Sequence, residues 1–218
     1  MSKLWTTEVA EATEHIYQQI IKLPFITQLA DGTLDPDIFQ RYIQQDTLYI
    51  HRYSRVLAHI ASRLTEPALT EIFLKFAGDG VAVEKALHSH YLKGALPAMS
   101  PACVFYTSLL EAQANRPVEV EIAAVLPCFL IYLKVGLHII DIQTNGDSNP
   151  YKEWIATYSD PAFAESCNVI SDICNEMART TTPEVKKAMT QIYIEACRQE
   201  WLFWKSAYEN LNWPAELL

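Results

Sequence analysis

Along most of this chain apolar residues return every three to four positions, the repeat of a helix that lays one face on a core. Runs that alternate with period two are few, so strands are not expected. Prolines and polar clusters punctuate the pattern. A first helix is expected over residues 3–22, ended by Pro24, because proline disfavours helical geometry at the residue before it. Ala30-Asp31-Gly32-Thr33-Leu34 reads as a turn. Asp35-Pro36 then supplies an N-cap followed by proline at the first helical position, where its missing N–H costs nothing, and opens a second helix over 36–63. Glu66-Pro67 opens a third, to residue 93, in which Gly78-Asp79-Gly80 is expected to bend or disturb the helix. Ser100-Pro101 caps a fourth, to about residue 115, and Arg116-Pro117 starts a long apolar fifth, to about residue 144. After the turn cluster Asn145-Gly146-Asp147-Ser148-Asn149-Pro150 come a short helix over 150–158, another from Asp160-Pro161 to 179, and a last one from Thr182-Pro183 to about 210. No linker, repeat or low-complexity segment divides the 218 residues, so an all-α bundle in a single domain over 1–218 is expected.

The most apolar stretch, residues 122–142, is interrupted by Pro127, Lys134, Gly136 and His138, and is read as a buried core helix rather than a membrane span. A content of 50% hydrophobic residues excludes a disordered chain. The net charge of -9 offers no basic face to a phosphate backbone, so no nucleic-acid partner is expected. The cysteines, Cys103, Cys128, Cys167, Cys174 and Cys197, are odd in number and form no CxxC pair, which fits reduced thiols in a cytoplasm better than a disulfide scaffold or zinc ribbon. The opening segment Met1 to Glu8 turns acidic at once, so no signal peptide is expected.

Three helices carry candidate chemistry. On the second, Tyr42, Asp46, Tyr49 and Tyr53 stand at i, i+4, i+7 and i+11 and share a face; an acid inside such an aromatic stripe must find a donor or shift its pKa upward. A stripe of this kind is also an ordinary core face, with Asp46 paired to a hydroxyl or an arginine. On the fifth, Cys128 and Tyr132 share a face just after Pro127, which is expected to kink the helix; Cys128 reads either as a small buried hydrophobe or as a nucleophile. On the last, Tyr193, Cys197, Glu200 and Trp204 repeat the same spacing. A glutamate held against an indole has a raised pKa and suits acid–base work near neutral pH; the plainer reading is a solvent-facing Glu200 near Lys205. Tyr106 and Tyr158 add hydroxyls. Glu84 and His88 are an i, i+4 pair, but His90 does not share their face, and no Glu-x-x-His motif, HExxH, P-loop, GxGxxG or GxSxG is present. No metal or cofactor is expected.

Taken together these segments resemble the TenA family, the thiaminase II or aminopyrimidine aminohydrolase proteins. The matching strings are Asp31-Gly32-Thr33-Leu34, Tyr42-Ile43-Gln44-Gln45-Asp46-Thr47-Leu48-Tyr49, Leu126-Pro127-Cys128-Phe129, Tyr132-Leu133-Lys134-Val135-Gly136, Tyr151-Lys152-Glu153-Trp154-Ile155-Ala156-Thr157-Tyr158 and Glu200-Trp201-Leu202-Phe203-Trp204. The resemblance implies a haem-oxygenase-like helical bundle without haem, a homotetramer, and hydrolysis of 4-amino-5-aminomethyl-2-methylpyrimidine to the hydroxymethyl pyrimidine in thiamin salvage, with thiamin a poorer substrate. It implies Cys128 as nucleophile, Glu200 as the acid that protonates a ring nitrogen, Asp46 as the anchor of the 4-amino group, and Tyr49, Tyr106, Tyr132 and Tyr158 around the ring. Retention of Cys128 favours the family's cysteine branch. Phe129, Leu130, Ile131 and Lys134 depart from the family's habit and bear on substrate preference. A competing reading is a non-enzymatic regulator of secreted-enzyme expression that keeps a pyrimidine pocket; a further one is a metal or haem oxygenase on the same bundle, resting on Glu84, His88 and His138.

Overall fold

Four helices begin with a proline behind a side chain that caps them. Asp35 accepts from the Asp37 N–H at 2.7 Å, Ser100 from Cys103 at 3.2 Å, Asp160 from Ala162 at 2.7 Å and Thr182 from Val185 at 3.4 Å. Each bond satisfies an N–H that the first turn of a helix leaves without a partner. The computed structural model describes residues 3–217, apart from the side chains at 83–85, 88, 89 and 217. Its helices are α1 (Trp5–Ile20), α2 (Pro24–Ala30), α3 (Pro36–Arg63), α4 (Pro67–Tyr91), α5 (Pro101–Glu111), α6 (Val118–Ile142), α7 (Lys152–Tyr158), α8 (Pro161–Thr180) and α9 (Pro183–Glu209). No strand occurs among the described residues.

Two elements differ from the sequence reading. Pro24 both ends α1 and opens α2, a helix of 7 residues that buries Phe25, Ile26, Leu29 and Ala30. Seven residues are too few to display a helical period. Gly78-Asp79-Gly80 does not interrupt α4, which stays helical through it. Gly80 instead gives room to α3: a Cβ there would lie 3.0 Å from the Ser54 hydroxyl.

The middle of the fold is α6, which packs along α9 and against α7 and α8, while α3 lies along α4 and touches α5, α6 and α9. Every residue of α6 from 120 to 127 is buried. A helix apolar on all faces belongs in the interior of a bundle. By length and composition α6 could cross a membrane, but 67% of its most apolar window is buried against its neighbours, which is the packing of a core helix. Its one buried acid, Glu121, accepts from His59 Nδ1 at 2.7 Å and from the Arg63 guanidinium, tying α6 to α3.

Two close contacts fix the outer elements. Asn149, 1% exposed, donates to the carbonyls of Leu29 and Ala30 at 2.9 and 3.1 Å, so the polar turn before α7 closes the end of α2. Gly136 of α6 lies against the backbone of Tyr158 at the end of α7. A Cβ at Gly136 would stand 2.5 Å from the Tyr158 carbonyl oxygen, so a side chain at 136 would push α7 away.

Candidate functional site

The helical period of α3 turns Tyr42, Asp46, Tyr49 and Tyr53 to one side, and all four are buried there. From α6, Cys128 and Tyr132 approach the same region, and α7 adds Tyr158 above them. The space between is a cavity of about 430 Å³ walled by Asp46, Tyr53, Cys128, Phe129, Tyr132 and Tyr158, together with Phe76 of α4 and Phe163 of α8. The volume is within the range of small-ligand pockets, and the wall is mostly aromatic with few polar groups. Rings line it closely: Tyr132 lies 4.7 Å from Tyr158 between centroids, and Phe129 stacks on Phe163 at 6.3 Å and 15°; behind the wall, Trp204 lies 4.8 Å from Tyr132.

Three of the expected residues form a layer just behind this wall rather than on it. Glu200 of α9, 1% exposed, accepts a 2.6 Å hydrogen bond from the Tyr106 hydroxyl of α5, and the Tyr106 ring lies 4.9 Å from that of Tyr49. The stacking of Tyr49 on Tyr53 at 5.4 Å joins this layer to the cavity wall. The Tyr49 hydroxyl is buried within this layer. The plainer reading of Glu200, an acid facing solvent beside Lys205, does not hold. Lys205 pairs with Glu209.

Burial governs the ionisation of this cluster. Loss of hydration lifts the Glu200 carboxyl to about 8, against an ordinary 4.5; the Tyr106 hydrogen bond works the other way, and the Asp46 charge adds to the rise. At neutral pH Glu200 therefore carries a proton. Cys128 is partly exposed, but only to the cavity, and the surrounding protein raises its thiol well above the ordinary value. The nearby Glu200 charge raises it further, whereas the hydroxyls of Tyr49 and Tyr53 pull it down. The resting sulfur is thus a thiol with an acid next to it. Attack by this sulfur has to be coupled to a proton transfer.

Similarity to known sequences matches this arrangement. A sequence profile of the TENA/THI-4/PQQC family covers residues 10–210. The chain belongs to that family. Over 210 residues, 93% of its length, it is 34% identical to the thiamine biosynthesis multifunctional protein ThiED of Corynebacterium efficiens, and it spans only 28% of that larger protein. It is 29% identical over 212 residues to the aminopyrimidine aminohydrolase of Halalkalibacterium halodurans, covering 93% of this chain and 95% of that one. Among solved structures, the TenA homologue protein of P. horikoshii OT3 superposes with a TM-score of 0.80 at 24% identity, over 95% of this chain and 99% of that one. Heme oxygenase-1 from the cyanobacterium Synechocystis, in complex with heme, does so with a TM-score of 0.65 at 14% identity, over 96% and 94%. The fold is therefore haem-oxygenase-like and all-α, as the sequence led us to expect.

Within this TenA-type bundle, Asp46, Cys128, Tyr132 and Tyr158 lie on the cavity wall, and Glu200, Tyr106 and Tyr49 in the layer behind it. Tyr53 had been named only as a member of the stripe; it lines the cavity next to Cys128, and its hydroxyl donates to the Val125 carbonyl at 2.8 Å. Phe129 also lines the cavity, so its departure from the family habit does face the ligand space. Lys134 does not. It sits 3.9 Å over the Tyr17 ring and 3.5 Å from Glu14, on another side of α6. The side chains of Glu84 and His88 lie outside the described residues. Among the described residues no three His, Cys, Asp or Glu side chains gather as metal ligands would.

Proposed function

We propose that this chain hydrolyses 4-amino-5-aminomethyl-2-methylpyrimidine to the hydroxymethyl pyrimidine with release of ammonia, and cleaves thiamin more slowly. One observation carries the reading: a thiol and an acid wall the same aromatic cavity, and directly behind them a carboxyl is held protonated near neutral pH by burial. The similarity to the aminopyrimidine aminohydrolase of Halalkalibacterium halodurans supports the substrate class.

The residues suit the chemistry in a definite order. A neutral pyrimidine resists attack by a thiol; protonation of its ring nitrogen makes the neighbouring unsubstituted carbon electrophilic. With the pyrimidine bound, Glu200 turns from the layer behind the wall toward that nitrogen and gives it its proton as the Cys128 sulfur bonds to the carbon, and the thiol proton returns to Glu200. No charge is left buried on either group, which the raised pKa of both requires. The ring of the adduct then expels the protonated side-chain amine as ammonia and leaves an exocyclic methylene. Water adds there, and the sulfur departs as aromaticity returns. Asp46 accepts from the 4-amino group throughout, which fixes the ring's orientation. Phe129, Phe76 and Phe163 line the same cavity and add apolar surface around the ligand.

The proposal includes a homotetramer working among reduced thiols in a cytoplasm. All five cysteines are free, and Leu137 and Ile140, one turn apart near the end of α6, are exposed apolar side chains that support contact between copies. The test is a substrate panel: the aminomethyl pyrimidine, its N-formyl derivative and thiamin, each followed by release of the hydroxymethyl pyrimidine. The aminomethyl compound is expected to turn over fastest. No product from any of the three overturns the proposal.

A further inference from the structure

A chain of buried hydrogen bonds runs from the interior to the cavity wall. Trp154 Nε1 donates to the Tyr42 hydroxyl at 3.3 Å, and that hydroxyl lies 3.2 Å from the hydroxyl of Tyr132. Trp154 and Tyr42 are fully buried; Tyr132 is buried against protein but forms part of the cavity wall. An indole N–H can only donate. The Tyr42 oxygen therefore accepts from Trp154. Its own proton has a single acceptor among the described residues, the Tyr132 oxygen. With its oxygen receiving that bond, Tyr132 directs its own proton elsewhere; among the described residues no other acceptor is bonded to it, which leaves the cavity that Tyr132 lines. The reverse order, Tyr132 donating to Tyr42, would strand the Tyr42 proton in the core, at the cost of an unmade buried hydrogen bond.

We propose that Tyr42 and Trp154 are positioning residues that fix the Tyr132 hydroxyl as a donor toward the cavity and thereby select a ligand edge carrying an acceptor nitrogen at that place. Asp46 stands on the same wall and supplies an acceptor. One donor beside one acceptor complements the H₂N–C=N edge of a 4-aminopyrimidine and opposes the O=C–N–H edge of the corresponding pyrimidin-4-one. This inference rests on the substrate class proposed above. It adds the device by which the protein tells an amino from an oxo pyrimidine.

The test compares binding of 4-amino-5-hydroxymethyl-2-methylpyrimidine and its 4-oxo counterpart, by calorimetry, to the full chain and to Trp154→Phe and Tyr42→Phe. In either variant the Tyr132 hydroxyl is free to turn and accept, so the preference for the amino ligand is expected to shrink by about three- to tenfold, the weight of one neutral hydrogen bond. Asp46 is unchanged and cancels from the comparison. A packing defect alone would weaken both ligands equally and leave the ratio where it was. Tyr42→Phe keeps its ring and serves if Trp154→Phe fails to fold. Unchanged preference in the folded variants overturns the inference and leaves the proposed activity standing. Failure of the unaltered protein to bind either ligand overturns both.

Discussion

Glu200 is a carboxyl whose protonated form the fold favours. Its value of about 8, raised above the 4.5 of an open chain, sets the sign of two effects. The folded protein holds a proton there that the unfolded chain releases between pH 4.5 and 8. Stability is therefore unpenalised below that window and falls as pH climbs through it, by roughly 3–5 kcal/mol at most. Glu200→Gln removes the penalty, so its melting temperature is expected to gain on that of the unaltered protein between pH 5 and 9. Melting curves at matched ionic strength check this, and parallel curves would show that the carboxyl is not held protonated. In catalysis the same group acts as an acid, so kcat/KM is expected to decline above pH 8. Tyr106 opposes the rise through its 2.6 Å bond, so Tyr106→Phe is expected to move that decline to higher pH.

Among the elements, α6 holds the most contacts that decide the site. Its Gly136 permits the Tyr158 backbone to touch it, and Gly136→Ala is expected to cost about 1–3 kcal/mol by overpacking. The displaced α7 would carry Tyr158 off the cavity wall, so substrate KM should rise more than kcat falls; steady-state kinetics beside a denaturant titration separate the two. Nearer its start, Glu121 anchors α6 to α3 through His59 and Arg63. Both partners reach solvent, so they can rehydrate when the acid is lost. Glu121→Ala is accordingly expected to cost about 1–3 kcal/mol, below the toll for stranding a fully buried charge. Urea unfolding measures it.

Across the molecule, how much was legible in the sequence depended on whether a signal was local. Asp35, Ser100, Asp160 and Thr182, each followed by proline, announce helix starts within a few residues, and all four cap as expected. The face shared by Tyr42, Asp46, Tyr49 and Tyr53 follows from the helical period. The same period shows why Lys134 is off the site: six residues beyond Cys128, it is turned by about 240°. That Phe76 and Phe163 complete the cavity could not be read, because it depends on how α4 and α8 pack against α6, and no local pattern encodes that. Nor does periodicity separate Asp46, on the wall, from Tyr49, one layer behind it. The central claim is that α3, α6 and α9 bring Asp46, Cys128 and Glu200 around one flat ring. Its most direct test is ammonia release from the aminomethyl pyrimidine by Cys128→Ser, beside its melting temperature. The account expects at least about a thousandfold loss of rate with the fold unchanged; release at the parent rate would contradict it.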